Sequence, residues 1–133
     1  NQIEMQKKVV KAWELFAQNE MEKSLMMMIS AADLEDASEK NPVTPGQLLP
    51  AREMLGDLLL EMNKPKEALK QYELTLGKNP NRLNALFGAG KSAELIGDKE
   101  KTVFYFTALL KNKKSTEPNN ERIAHAVEVT TKI

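Results

Sequence analysis

Residues 55–80 read LGDLLLEMNKPKEALKQYELTLGKNP, and this stretch decides the fold. It reads as two helices folded back on each other. Leu55, Gly56 and Leu59 mark one face of the first helix. Asn63 and Lys64 form the turn, Ala68 and Tyr72 mark the second helix, and Pro80 closes the unit. Antiparallel helices approach to about 8 Å only where small residues leave the contact free. Gly56 and Ala68 supply that clearance, and Tyr72 fills the space beside them. The pattern predicts an interaction module rather than a catalyst.

A second copy follows at the 34-residue period of helical-pair repeats. Gly56 maps to Gly90, Asn63 to Gly97, Tyr72 to Phe106 and Leu76 to Leu110. Ala68 becomes Thr102, while Leu55 and Leu59 become Ala89 and Ala93. Gly97 followed by Asp98 is a helix stop and then an N-cap. Unrelated amphipathic helices would drift out of phase. The stretch from Leu49 to about Lys113 therefore resembles two tetratricopeptide repeats, with L-G-x2-L, A-x3-Y and P at the expected spacing. Arg52 and Leu86 stand where the family carries a tryptophan. The resemblance implies an all-α fold of antiparallel helix-turn-helix repeats, stacked as a short right-handed solenoid. About seven helices are expected, with a C-terminal capping helix and no strand.

Outside this core the pattern weakens. From about Ile3 to Gln18, Val9, Val10, Trp13 and Phe16 recur at helical spacing. Asn19 breaks that helix. A second runs from about Glu20 toward Lys40, with Met21, Leu25, Met28, Ile29, Ala32 and Leu34 as its apolar side. A longer offset takes Ala12 to Gly56, Leu15 to Leu59, Asn19 to Asn63, Ser24 to Ala68 and Met28 to Tyr72. Residues 1–40 are thus expected to be a degenerate helical pair. Pro42, Pro45 and Gly46 make residues 41–49 an irregular linker, and Pro50 suits the start of the next helix. Repeats follow at 49–80 and 81–114. A capping helix over 117–131 has Thr116 as N-cap, Pro118 in its first turn, and Ile123, Ala126, Val127 and Thr130 as its buried stripe. All of this is expected to form a single domain over 1–133.

Composition narrows the function. The 133 residues carry 19 Lys plus Arg and 19 Asp plus Glu, a formal net charge of zero. Nucleic-acid binding would call for a basic face, and none is evident. With no cysteine there is no disulfide, thiolate metal site or cysteine nucleophile. No apolar run approaches the ~20 residues of a membrane span, so no direct insertion is expected. The chain begins at Asn1, so a processed or excised piece of a longer protein is expected, and its compartment, bacterial cytoplasm or periplasm, stays open. The stretch AADLEDASEKNPVTPGQLLPAREMLGDLLLEMNKP also resembles a segment near the C-terminal end of bacterial tetratricopeptide-repeat proteins of unassigned function. That resemblance implies a bacterial source and a C-terminal fragment or short relative, and it does not point to any activity.

Candidate chemistry is sparse, and no catalytic residue, metal site or cofactor is expected. His125 lies beside the stripe of the last helix and reads as a boundary residue, without a partner motif for acid–base work. Asp33, Glu35, Asp36 and Glu39 lack the glycine-bearing turn of a calcium loop and read as a solvated face. Met26, Met27 and Met28 point in three directions on a helix, which suits packing better than copper ligation. GAGK at residues 88–91 lies inside a predicted helix and lacks phosphate-loop spacing.

Three classes of function remain: a scaffold binding a protein or peptide, self-association into a homo-oligomer, and, least favoured, an enzyme or metal-dependent regulator. In the resembled family the first helices of each pair line a concave groove. Carried over, those positions are Val9, Trp13 and Phe16, then Glu53, Asp57, Leu60 and Glu61, then Phe87, Lys91, Glu94 and Leu95. Glu53 and Asp57 stand where chaperone-binding members clamp a terminal carboxylate, and two carboxylates would repel it. The expected groove is aromatic and acidic, with Lys91 as its one cation and Glu53 and Asp57 facing solvent.

Overall fold

The computed structural model describes residues 2–38, 50–112 and 121–132. Among them are seven α-helices and no strand: α1 (Gln2–Ala17), α2 (Met21–Ser38), α3 (Ala51–Glu61), α4 (Pro65–Lys78), α5 (Leu83–Ile96), α6 (Lys99–Asn112) and α7 (Glu121–Lys132). Each helix packs mainly on its neighbours in sequence, and α3 also touches α1 and α5. That alternation is the mark of stacked helical pairs, with the odd-numbered helices side by side. The expected linker over 41–49, Thr116 and Pro118 lie outside the described residues.

The pairs share one turn. Asn19, Asn63 and Gly97 all adopt the left-handed conformation, with φ of 63°, 61° and 82°. The next residue donates its N–H back to the last turn: Glu20 to the Leu15 carbonyl at 2.9 Å, Lys64 to Leu59 at 2.8 Å, Asp98 to Ala93 at 2.9 Å. A second bond joins Asn19 to Phe16, Asn63 to Leu60 and Gly97 to Glu94. Both bonds together make a Schellman stop, and asparagine or glycine suits its αL position. The following helix then starts at once, with Ser24, Ala68 and Thr102 donating to the carbonyls of Glu20, Lys64 and Asp98. Asp98 adds a side-chain cap, its Oδ1 accepting the Lys101 N–H at 3.0 Å. The first pair, weakest in sequence, is thus built on the same turn as the other two.

Packing inside the pairs rests on two aromatic rings. Tyr72 and Phe106 are completely buried. A Cβ on Gly56 would lie 2.9 Å from the Tyr72 ring, and one on Gly90 would lie 2.5 Å from Phe106. Gly88, on α5, is tighter still: a Cβ there would come within 2.3 Å of Tyr72. Tyr72 therefore fills a gap between α3 and α5, and Gly88 as well as Gly56 keeps it open. Leu55, Leu59, Ala68, Ala89 and Ala93 are buried as expected. Leu76 and Leu110 are only half-buried, and Thr75 and Leu109, one residue earlier, take the interior positions.

The flanking helices correct other expectations. Val10 is 66% exposed, while Met5, Val9, Ala12 and Leu15 form the buried side of α1. On α2, Met21 and Ile29 are exposed, and Ser24, Met28, Ala31 and Ala32 are buried. Ser24 donates to the Ala12 carbonyl at 2.6 Å, tying α2 to α1. On α7, Ile123 and Ala126 bury against Leu86, Phe106 and Leu109, whereas Val127 faces outward.

Of the acidic run, Glu39 lies outside the described residues and Asp33 is exposed, but Glu35 and Asp36 are not a solvated face. Glu35 is buried, and its Oε1 accepts the Ala51 N–H at 2.9 Å. It thereby supplies the cap that Pro50, preceding α3, cannot provide, with a carboxylate at the positive end of the helix. Asp36 binds Arg52 at 2.5 Å and Lys78 at 3.3 Å, while Asp33 reaches Arg52 at 3.3 Å. The run stitches the first pair to the second.

Candidate functional site

One groove runs over the odd-numbered helices, with a volume of about 750 Å³. Trp13, Phe16 and Ala17 line it from α1, Asp57, Leu60 and Glu61 from α3, and Phe87, Gly88, Lys91 and Leu95 from α5. Helical spacing of three and four residues puts each set on one face, and the stacked turns bring the three faces into line. Trp13 and Phe16 meet edge to face, with centroids 5.9 Å apart. Both are half-buried against the main core and also open to the groove, so they serve packing and surface at once.

Three expected groove residues lie elsewhere, the first being Val9, which is buried in the core on α1. Glu53 has 0% exposure. Its carboxylate takes both arms of Arg82, at 2.8 Å and 3.1 Å, and the Asn84 side-chain amide at 3.1 Å. That pairing holds the Arg82 guanidinium above its already high pKa. Glu53 is therefore an interior tie between α3 and the start of α5, not a solvent-facing acid. Lysine in its place is predicted to cost about 3–5 kcal/mol, because Arg82 and Asn84 would lose their buried acceptor. Glu94 turns away from the groove into a neighbouring cleft of about 350 Å³, shared with Thr102, His125 and Val129. There His125 Nε2 lies 2.7 Å from Glu94 Oε1, and the imidazole meets the edges of Phe87 and Phe106.

Lys91 is not the one cation. Arg122, from α7, also lines the groove. Its guanidinium carbon stands 4.9 Å from the centre of the Phe87 ring, and it donates to the Asn84 side-chain oxygen. The sequence offered one signal for it. Moving on from Gly88 by the repeat period reaches Arg122, so α7 begins as a further first helix. Reading α7 only as a cap hid this. Gly88 had its own signal: glycine inside a helix costs about 1 kcal/mol relative to alanine and asks for a packing reason.

Asp57 sits at the groove's centre, and its Oδ1 accepts the Tyr72 hydroxyl at 2.5 Å. Burial holds the Asp57 carboxyl above its usual range, and the Tyr72 hydrogen bond opposes that shift. Burial, with Asp57 beside it, pushes the Tyr72 hydroxyl well up, so it stays protonated and donating. Among the described residues no group of three or more His, Asp or Glu could hold a metal ion, and no helix is long and apolar enough to cross a membrane.

No family model matches this sequence, and neither does any curated protein. The fold is similar to that of PcrH from Pseudomonas aeruginosa. The two agree with a TM-score of 0.70 at 12% identity, over 96% of this chain and 89% of PcrH. At that identity the likeness speaks for the fold alone. The chain has a tetratricopeptide-like, all-α solenoid fold.

Proposed function

We propose that this chain is a non-catalytic scaffold that holds a segment of a partner protein in the groove across α1, α3 and α5. In this reading it is a short relative of the tetratricopeptide-repeat proteins and works as one unit over residues 1–133. The observation that supports it is the convergence of half-buried Trp13, Phe16 and Phe87 with Asp57, Glu61 and Lys91 on one concave surface. Aromatic side chains give the largest contact energy at protein interfaces, and charges at the rim set partner choice. An open groove of this size suits a chain segment better than an enclosed small molecule.

Photo-crosslinking tests the reading. A benzophenone side chain replaces Leu95, which is 53% exposed in the groove, or Phe104, which is 66% exposed on α6. Irradiation in the organism that encodes the protein should give discrete protein adducts from position 95 and not from position 104. Adducts from position 104 alone would move the binding surface off the groove.

A further inference from the structure

The charges of the groove are sorted by helix. The α1 wall offers Trp13 and Phe16 with no charged side chain, α3 offers Asp57 and Glu61, and the far wall offers Lys91 on α5 with Arg122 on α7. We infer that the groove recognises an extended segment carrying, in this order, a bulky apolar residue, a Lys or Arg, and an Asp or Glu. The inference rests on the groove being the binding surface.

The spacing of the motif follows from the helices. Packed helices lie about 8–10 Å apart, and an extended chain rises about 3.3 Å per residue. One step between walls therefore takes about three residues. The ligand reads apolar-x-x-basic-x-x-acidic, or the same order in the opposite chain direction. Opposite signs on facing walls also reject segments of one charge, since each like-charge contact opposes binding.

The state of each group fits this use. Glu61 is exposed on the groove wall. Asp57 lines the groove beside it, with its carboxylate held by the Tyr72 hydroxyl and the Asn84 side chain. Lys91 is 3.6 Å from Glu94, a loose contact that leaves its ammonium reachable. Arg122 is fixed over Phe87 by the ring and by Asn84. An arginine held that way is oriented before a carboxylate arrives, which lowers the entropic cost of pairing.

Selection from a random dodecapeptide display library on the full chain tests the inference. The unaltered protein should enrich the apolar–basic–acidic order. Selection on Glu61→Lys should turn the middle position acidic, and selection on Arg122→Glu should turn the third position basic. Both residues are exposed; because Arg122 also holds Phe87 and Asn84, thermal melting should first confirm that each variant is folded. Each variant should weaken peptides selected on the unaltered protein by roughly five-fold, with recovery by the charge-matched peptide. Enriched groove-binding peptides whose charges stay the same on both variants would overturn the charge order and leave the groove standing. No enrichment, or enriched peptides that fail to protect Leu95-benzophenone from crosslinking, would overturn the groove itself.

Discussion

Gly88 is the residue where one added methyl group should matter most. Its absent Cβ would lie 2.3 Å from Tyr72, against 2.5 Å from Phe106 at Gly90 and 2.9 Å from Tyr72 at Gly56. Alanine favours a helix by about 1 kcal/mol over glycine, but overpacking a closed interior costs roughly 1–3 kcal/mol. Gly88→Ala is predicted to lower stability most, Gly90→Ala less, and Gly56→Ala least, as read by chemical denaturation. A stabilised Gly88→Ala variant would mean that Tyr72 does not occupy the gap. Ser92 presents the opposite case. It is fully buried, and among the described residues its hydroxyl has no hydrogen-bond partner. Ser92→Ala should gain about 1 kcal/mol by removing an unsatisfied polar group; a loss of stability would reveal a partner. Asp57 carries a pH signature. Burial raises its folded pKa above the ordinary aspartate range, so the folded state favours its protonated form. Its ionisation opposes folding as pH rises through the folded pKa, and that penalty vanishes below the unfolded value. Asp57→Asn should therefore raise the melting temperature at neutral pH, with the gain shrinking toward pH 4. A gain that does not change with pH would contradict the burial of the carboxyl. At this scale the sequence was legible where spacing alone carried the information, as for Gly56, Gly90, Tyr72 and Phe106. It was not legible where a partner came from far away. Glu53 looks solvent-facing until Arg82 and Asn84 close on it, and Glu35 looks solvated until the start of α3 reaches it.

The turns and helix ends were the most readable elements, because their backbone conformation restricts the residues that fit. Asn19, Asn63 and Gly97 announced three equivalent stops, and all three adopt positive φ. Gly97 has open space around it, so alanine there would meet only backbone strain, about 1–2 kcal/mol. Gly97→Ala should destabilise by about that amount. Asn63→Gly should be neutral or slightly stabilising, since glycine suits αL better still. Equal losses at both positions, measured by thermal melting, would show that contacts and not backbone conformation govern the turn. The apolar stripes were read less well. Val10 and Val127 match the period yet face outward, because α1 and α7 have a neighbour on fewer sides than the inner helices. Leu76 and Leu110 yield the interior to Thr75 and Leu109 for a related reason: a helical stripe drifts relative to its neighbour, and periodicity alone leaves the phase open by a residue.

At the scale of the whole molecule, the outward side of the stack bears on self-association. On α3 and α5 the positions facing the preceding pair are Ala51, Leu55 and Leu58, then Ala85, Ala89 and Ser92, all buried. The equivalent positions on α1 are Lys7, Lys11 and Glu14, all exposed, with Lys11 and Glu14 paired at 3.8 Å. Lys7, Lys11 and Glu14 break up the exposed Ile3 and Val10 on that helix, so a second copy finds no continuous apolar seat there. The chain is predicted to scatter light as a monomer at micromolar concentration, and a dimer lost on Lys11→Glu would contradict that. The proposed partner binding uses the groove across α1, α3 and α5. The measurement that bears on it most directly is an amide chemical-shift map of the isotope-labelled chain, titrated with the segment recovered by crosslinking. Shifts should concentrate at Trp13, Phe16, Asp57, Leu60, Phe87 and Lys91, spanning α1, α3 and α5. Shifts confined to α2, α4 and α6, around Leu74 and Phe104, would contradict the groove as the binding surface.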